Sequence, residues 1–194
     1  IVLGDGAEGT AYLTKDKEVI KIIYNNSFRP QYNPDILTTE IVALDSFLLP
    51  EEIYTYKGYV LGYKTKYLEN DIFNNKRMIY PVMMNLEKLL VDREKMLKDV
   101  EIISSYDYHI VDLPYNLLYN RKKLAACDTL AYEKMENSLN ENIASFDYAL
   151  YTKLKEVYPN IDYVIDEDDN SEVAIKKLIK ENKSKKIMVF PSEY

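Results

Sequence analysis

The chain contains few of the residues that build disulfide frameworks and metal clusters. Its 194 residues include one cysteine, one histidine and no tryptophan. A single cysteine excludes an internal disulfide, which fits a reducing compartment, and a single histidine excludes a metal site built from several histidines. Basic residues are also in the minority, with 25 Lys and Arg against 32 Asp and Glu. Because nucleic-acid binding relies on basic side chains that neutralise phosphates, we expect no nucleic-acid partner.

Long apolar segments are missing as well. No run in the sequence approaches the roughly 20 apolar residues that a membrane helix needs, and no signal-peptide pattern is visible. We therefore expect no membrane partner and a cytoplasmic location. The composition is otherwise that of a folded protein, with 47% hydrophobic and 29% charged residues. The length suffices for one large domain or for two small lobes.

The residue pattern up to about position 70 is typical of β-strands. Strand-like runs surround "GDGAEG", continue in "EVIKIIY", and stand on both sides of Lys57-Gly58, which is a hairpin signal. Between them, apolar residues at three- and four-residue spacing predict one helix over about 35–48. We predict that this part of the chain, 1–70, forms a β-rich N-terminal lobe with an antiparallel sheet and one helix.

The spacing of apolar residues becomes helical after about residue 75. It predicts helices over about 84–105, 142–157 and 171–182. A short strand-loop-strand unit lies among them, at "HIVDLPYNLLYNRKKLAACDTL". We therefore predict an α+β chain whose second lobe, 71–194, is mainly helical.

Three of the five glycines stand close together, as Gly4, Gly6 and Gly9 at the spacing G-x-G-x-x-G. This motif serves both dinucleotide-binding and kinase-like nucleotide sites. A dinucleotide-binding fold places it where a strand turns into a helix. Here two β-rich segments joined by the charged turn "KDKE" follow the glycines. The pattern therefore favours a glycine loop between antiparallel strands, which would cover phosphates.

Lys21 and Glu40 are charged residues in apolar surroundings. Lys21 is flanked by isoleucines in "EVIKII", and Glu40 falls on the same stripe of the predicted helix as its leucines and isoleucines. An unpaired charge on a buried face is costly, so we expect these two residues to form an ion pair. Two alternatives stay open, in which Lys21 faces water on an edge strand or Glu40 lies at the margin of the stripe.

The segments "GDGAEGTAYL", "EVIKII" and "TTEIVAL" together resemble the N-lobe of the protein-kinase superfamily, with its glycine-rich loop, strand lysine and helix glutamate. The segment "HIVDLPYNLLYNRKKLAACDTLAY" is similar to the catalytic region of that superfamily. Asp112-Leu113 and Asn116 match its D-L and the asparagine that follows, and Asp128 stands where the D-F-G aspartate belongs. The resemblance covers about residues 1–132.

This resemblance implies a two-lobed kinase fold, ATP and Mg²⁺ as cofactors, and a protein substrate with a Ser or Thr hydroxyl. It also implies that the backbone around Glu69 binds the adenine. The remaining roles that it implies are a lid over the phosphates for Gly4, Gly6 and Gly9, contact with the α- and β-phosphates for Lys21 positioned by Glu40, orientation and deprotonation of the attacking hydroxyl for Asp112, and Mg²⁺ ligation for Asn116 and Asp128.

The chain departs from the superfamily pattern in ways that predict a compact, divergent bacterial-type member. Asp112 and Asn116 are one residue closer together than usual, which predicts a loop tightened at Pro114. Asp128 is followed by Thr129-Leu130 in place of Phe-Gly, and no A-P-E motif follows, which predicts a reduced C-lobe. Two alternative functions stay open: a pseudokinase that binds nucleotide as an interaction module, and a small-molecule kinase of the aminoglycoside or choline type.

An acidic segment, "DYVIDEDDN" at 162–170, clusters its carboxylates as a calcium-binding loop does. It lacks the glycine and the ligand spacing of an EF-hand loop. We therefore predict a solvated acidic loop that caps the helix beginning at Ser171.

Overall fold

The structure is a computed structural model and describes residues 1–27, 34–37, 39–158, 166 and 168–192. An antiparallel N-terminal sheet is followed by a part of the chain that is rich in helices. The α+β class predicted from the sequence is therefore confirmed.

The chain divides into two compact units that alternate along the sequence. The first unit comprises Ile1–Tyr67 and Asp128–Ala131, and the second comprises Leu68–Cys127 and Tyr132–Tyr194. The first division follows Tyr67, close to the boundary at residue 70 that the sequence predicts. The return of Asp128–Ala131 to the first unit is not predicted, because so short a segment carries no periodicity of its own.

The first unit is built on a five-stranded sheet. In chain order its strands are β1 (Val2–Asp5), β2 (Gly9–Leu13), β3 (Glu18–Ile23), β4 (Glu52–Tyr56) and β5 (Tyr59–Lys66). Across the sheet the order is β1-β2-β3-β5-β4, and every neighbouring pair is antiparallel. The apolar strand β3 is thus the central strand, hydrogen-bonded on both sides.

The predicted hairpin at Lys57-Gly58 is confirmed. Tyr56 pairs with Tyr59, so the loop between β4 and β5 has two residues. Both residues lie in the left-handed region, with φ of 49° at Lys57 and 81° at Gly58. Two successive left-handed residues make a type I′ turn, whose twist matches that of the flanking strands.

The predicted helix over 35–48 is wrong in its extent. The structure has a 3-10 turn at Pro34–Leu37 and a four-residue helix, α1 (Thr39–Val42), while Thr38 lies outside the described residues. The chain leaves the helical conformation after α1 and turns at Asp45-Ser46. Asp and Ser side chains favour turns because they hydrogen-bond to nearby backbone. The apolar spacing in this segment therefore reflects burial in turns and not a continuous helical period.

The described part of the second unit contains the helices α2 (Leu86–Ser105), α3 (Leu113–Asn116), α4 (Leu139–Val157) and α5 (Ser171–Glu181). The three longer ones confirm the helices predicted from apolar spacing, and they pack against one another. The side chains of Asn85 and Asn170 accept backbone N–H bonds at the starts of α2 and α5, which satisfies donors that a helix leaves unpaired. None of the described helices has the length and apolar character needed to cross a membrane.

Arg93 joins the three longer helices of the second unit. Its Nε donates to Ser171 Oγ at 2.8 Å and its Nη2 donates to Asp147 Oδ1 at 2.9 Å. The side chain is 4% exposed, and a guanidinium so buried would be costly without a carboxylate partner. These bonds fix the register of α2, α4 and α5 relative to one another.

Three two-stranded antiparallel sheets complete the described part of the second unit. They pair β6 (Val82–Asn85) with β11 (Lys186–Val189), β7 (Tyr108–His109) with β10 (Glu133–Lys134), and β8 (Leu117–Tyr119) with β9 (Leu124–Ala126). Strand β11 is not predicted from the sequence. Its buried Ile187 and Val189 alternate with exposed neighbours over only four residues, which is too short a run to stand out beside a lysine-rich turn.

Candidate functional site

Lys21 lies in the central strand of the first unit, where it pairs in register with Ala11 of β2 and Tyr63 of β5. Its Nζ is 2.6 Å from each carboxylate oxygen of Asp128. The lysine side chain is 15% exposed and the aspartate side chain 29%, so the ion pair is partly withdrawn from water. The contact joins two residues that the sequence singles out in separate motifs.

Tyr63 is a third member of this group, which we call the Lys21 cluster (Lys21, Tyr63 and Asp128). The tyrosine hydroxyl donates to Asp128 Oδ1 at 2.7 Å. The Lys21 Nζ also lies 6.0 Å from the centroid of the tyrosine ring, at the outer limit of a cation–π contact. The carboxylate therefore accepts bonds from one charged and one neutral donor.

The segment after Asp128 anchors this carboxylate in the first unit. Asp128 has a left-handed backbone, with φ of 57°, a conformation that aspartate tolerates better than most residues. The next residue, Thr129, is buried and donates from Oγ1 to Leu48 O at 3.2 Å. Leu130 then packs in the same apolar cluster as Tyr63. The position of Asp128 is thus set by the two residues that follow it.

The glycine motif forms the turn between β1 and β2, as the sequence predicts. Gly6 N donates to Gly9 O at 3.0 Å across the turn. A Cβ placed on Gly9 would lie 2.2 Å from Ile22 O, whereas a Cβ on Gly4 would have nothing within 4 Å. Gly9 is therefore required by the close approach of β3, while Gly4 leaves open space beside the backbone.

Polar side chains hold the ends of this glycine loop. Thr10 Oγ1 donates to Asp5 Oδ1 at 2.5 Å, and the Tyr24 hydroxyl donates to the same oxygen. The bonds from Thr10 and then from Tyr24 lower the pKa of Asp5, and the bond to Asp5 raises the pKa of Tyr24. Tyr24 N donates to Glu8 O at 2.9 Å. Tyr24, which directly follows β3, thereby fixes the glycine loop between β1 and β2.

The expected ion pair between Lys21 and Glu40 is not formed in this structure. The Lys21 ammonium contacts Asp128 instead, and Glu40 is exposed in the first turn of α1. The expectation required a helix of several turns with one apolar stripe. Helix α1 has four residues, about one turn, so no stripe directs Glu40 towards the sheet.

Asp112 and Asn116 lie in the second unit, at the two ends of a single helical turn. Asp112 is exposed, has φ of 53° and directly precedes α3. Tyr115 N donates to Asp112 O at 3.1 Å, and Pro114 lies in the first turn. At the other end, Asn116 O accepts a bond from Cys127 N at 3.0 Å. The short spacing between the aspartate and the asparagine is accommodated by this helical turn.

The backbone that leads into Asp112 is held by Asn142 of α4, which is fully buried. Its Nδ2 donates to Tyr108 O at 2.7 Å and to Ser104 Oγ at 2.8 Å. Its Oδ1 accepts a bond from Ile110 N at 2.8 Å. One amide side chain thus ties α2, α4 and the end of β7 together, two residues before Asp112.

Glu69 is exposed and lies just after the chain has passed from the first unit into the second. The adenine-binding role of the backbone at this point stays a prediction. The acidic segment at 162–170 is described only in part, because 162–165 and 167 lie outside the described residues. Of the remainder, Asp166 and Asp169 contact Lys177 Nζ at 2.6 Å and 2.7 Å.

The Lys21 cluster contains one side chain suited to phosphate and one suited to a hard metal ion. An ammonium is suited to phosphate oxygens, and a carboxylate is the hard oxygen ligand that Mg²⁺ prefers. The described residues contain no group of three or more His, Cys, Asp or Glu side chains placed to hold a metal ion. Nucleotide-bound Mg²⁺ does not need such a group, because it takes one or two protein ligands beside phosphates and waters. The side chains of the Lys21 cluster are therefore chemically compatible with a phosphate group and with Mg²⁺.

Sequence reasoning missed Tyr63. In β5, buried Tyr63 and Thr65 alternate with the less buried Lys64 and Lys66, and this alternation is a signal that could have placed the tyrosine on a buried face. The alternation does not indicate which residues contact that buried face. The pairing of β3 with β5 passes over β4 in the sequence, so it has no local signature.

A scan of protein-family models and a search of curated proteins give no match to the chain. The resemblance to protein kinases therefore depends on the residues of this chain alone.

Proposed function

We propose that this protein is an ATP-dependent phosphotransferase with a two-lobed, protein-kinase-like architecture, and that it transfers the γ-phosphoryl group to a Ser or Thr hydroxyl of a protein. The observation that carries the proposal is the 2.6 Å contact of Lys21 with Asp128. The sequence motifs assign phosphate contact to the first residue and metal contact to the second. These two residues are 107 positions apart in the sequence and yet in contact, which supports the proposal that both bind the same ligand.

Stability alone is a weak explanation for this ion pair. Ion pairs near the surface contribute only about 0–1 kcal/mol, and withdrawing two charges from water carries a desolvation cost. An ammonium on the central strand of a small sheet, paired with a carboxylate from a distant segment of the chain, is better explained if the two groups exchange partners. With ligand bound, we expect Lys21 to contact the phosphates and Asp128 to contact the metal ion.

Bound ATP with Mg²⁺ supplies the transferable phosphoryl group and neutralises the charge around it. The loop at Gly4 and Gly6 covers the phosphates with a backbone that carries no side chain at these two positions, and its ends are already held by Tyr24 and Asp5. Gly9 has a structural role, because it lets β2 approach β3.

The roles proposed in the second unit concern the acceptor and the metal. Asp112 accepts the proton of the acceptor hydroxyl while the hydroxyl oxygen bonds to phosphorus and the bond between phosphorus and the ADP oxygen breaks. Asn116 would supply an amide oxygen as a ligand to Mg²⁺. The backbone around Glu69 binds the adenine.

Three aspartates provide a matched test of these roles. Asp107, Asp112 and Asp128 all have left-handed backbones, with φ of 58°, 53° and 57°, and asparagine tolerates that conformation. In transfer from γ-labelled ATP with Mg²⁺, we expect Asp112→Asn and Asp128→Asn to lose about 10²- to 10⁴-fold in rate. Asp107→Asn, at an exposed position, serves as the control and should match the wild type. Unchanged transfer by the Asp112→Asn variant would overturn the assignment.

A second candidate is a nucleotide-binding module that does not transfer phosphate. The exposed Glu40 favours it, because the lysine lacks the glutamate partner that the resemblance implies. This candidate predicts a higher melting temperature with Mg²⁺ and ATP, but no labelled product with itself or with generic protein substrates. The two measurements on the wild-type protein separate the candidates.

A further inference from the structure

The Tyr63 hydroxyl reaches Asp128 from a fixed position. The tyrosine is 3% exposed, and its ring belongs to the apolar cluster with Val60 and Leu130. The hydroxyl cannot leave Asp128 Oδ1, 2.7 Å away, without disturbing that cluster. Lys21 differs in this respect, because its ammonium stands at the end of a flexible four-carbon chain and can move to another partner.

We propose that Tyr63 is a positioning residue for metal binding, which holds the Asp128 carboxylate after Lys21 has moved to the nucleotide phosphates. The inference rests on the proposed phosphotransferase function. When the lysine leaves, Asp128 keeps one hydrogen bond at Oδ1 and its Oδ2 becomes available to a cation.

A neutral donor is suited to this task. An ammonium on the same carboxylate would repel a metal ion, whereas a phenol hydroxyl orients the carboxylate without adding positive charge. Hydrogen-bond partners that orient metal-ligating carboxylates typically change metal affinity by about 10- to 100-fold when they are removed.

The first arm of the test needs no ligand. It is a double-mutant cycle in urea unfolding with Tyr63→Phe, Asp128→Gly and the double variant. Glycine removes the carboxylate and tolerates the left-handed backbone. We expect Tyr63→Phe to lower the free energy of unfolding in the wild-type background and not in the Asp128→Gly background. Equal losses in the two backgrounds would overturn the inference.

The second arm measures ATP binding by calorimetry as a function of Mg²⁺ concentration. We expect Tyr63→Phe to raise the half-saturating Mg²⁺ concentration about tenfold, and to leave the affinity for ATP in EDTA within about twofold, since the lysine is intact. Tyr59→Phe is the matched control, because it removes a hydroxyl from an exposed tyrosine of the same strand. It should leave both values unchanged.

The outcomes separate the two proposals. Coupling in the cycle together with a raised Mg²⁺ requirement supports the positioning role. Wild-type binding of ATP with Mg²⁺ beside an unchanged requirement in Tyr63→Phe overturns the positioning role alone. A wild-type protein that binds no ATP at any Mg²⁺ concentration overturns the phosphotransferase proposal, and the positioning role falls with it.

Discussion

At the scale of single residues, two glycines of the same motif differ in what surrounds them. A Cβ at Gly9 would meet Ile22 O at 2.2 Å, and a Cβ at Gly4 would meet nothing within 4 Å. We expect Gly9→Ala to lower the free energy of unfolding by about 1–3 kcal/mol, because β3 must shift to make room. Gly4→Ala should change it by less than about 0.5 kcal/mol. Urea unfolding of both variants measures the difference, and similar losses would contradict the prediction.

The carboxyl of Asp71 makes stability depend on pH. Its Oδ1 accepts backbone bonds from Phe73 N at 3.0 Å and Tyr119 N at 2.9 Å. Burial raises its pKa from the ordinary 3.8, against these hydrogen bonds, which lower it. A carboxyl with a raised pKa in the folded state favours folding while it is protonated. Its contribution is therefore present at low pH and is lost as the pH rises from 3.8 through the raised value.

The substitution Asp71→Asn tests this dependence, because the amide oxygen keeps both hydrogen bonds and carries no charge. We expect the variant and the wild type to have similar stability near pH 3.5, and the variant to become the more stable one as the pH increases. Urea unfolding between pH 3.5 and 7 measures the two curves. Asp16→Asn, which changes an exposed carboxylate, should follow the wild type, and a constant offset for Asp71→Asn would contradict the account.

Asn142 acts at the scale of secondary-structure elements, since it joins α2, α4 and β7. Asn142→Ala leaves the N–H of Ile110 without its side-chain partner, whereas Tyr108 O keeps a bond from Ser138 Oγ at 2.9 Å. An unsatisfied buried group costs about 1–3 kcal/mol. We expect a loss of about 1–3 kcal/mol in the free energy of unfolding. The control Asn140→Ala removes an exposed amide from the same helix. A loss below 1 kcal/mol for Asn142→Ala would show that water replaces the amide.

The same variant bears on the proposed activity. Asn142 fixes the backbone two residues before Asp112, so its loss should slow phosphoryl transfer even where the protein stays folded. Transfer assays at a temperature well below the melting point of the variant measure this effect. Normal phosphoryl transfer by the folded Asn142→Ala variant would show that the Asn142 amide does not position Asp112.

The elements that could be predicted from the sequence have local signals. Lys57-Gly58 specifies its hairpin through backbone preference, and the long helices carry apolar residues through several turns. The segment with Glu40 has the same apolar spacing, but a turn at Asp45-Ser46 interrupts the helix. The apolar residues of this segment are buried without forming a continuous helical stripe. Lys21 and Asp128 could be named from their motifs. Their contact depends on the return of Asp128–Ala131 to the first unit, and the position of Tyr63 beside Lys21 depends on the pairing of β3 with β5. Neither arrangement has a local signal in the sequence.

At the scale of the whole molecule, two leucines six positions apart belong to different units. Leu124 lies in β9 of the second unit, and Leu130 packs in the core of the first. Both are at most 3% exposed. Truncation of a buried leucine to alanine typically costs about 2–5 kcal/mol, so each variant should loosen its own unit.

Hydrogen exchange followed by mass spectrometry tests this division. Leu130→Ala should raise amide exchange in β3 and β5, far away in the sequence, and leave α2 and α4 close to the wild type. Leu124→Ala should have the reverse effect and raise exchange in β8 and α2. Equal exchange profiles for the two variants would show that the units open together.

The return of Asp128–Ala131 to the first unit also determines when that unit can be completed during synthesis. Strand β5 ends at Lys66, yet the partner of Lys21 and the leucine that fills the core are translated only after Leu68–Cys127. At about 5–20 residues per second, the ribosome needs several seconds to make the intervening stretch. Throughout that interval the nascent sheet lacks the Asp128 partner of Lys21 and the Leu130 side chain that completes its apolar cluster. The unit that is begun first therefore closes late, and chaperones that bind emerging chains would meet it in that unfinished form.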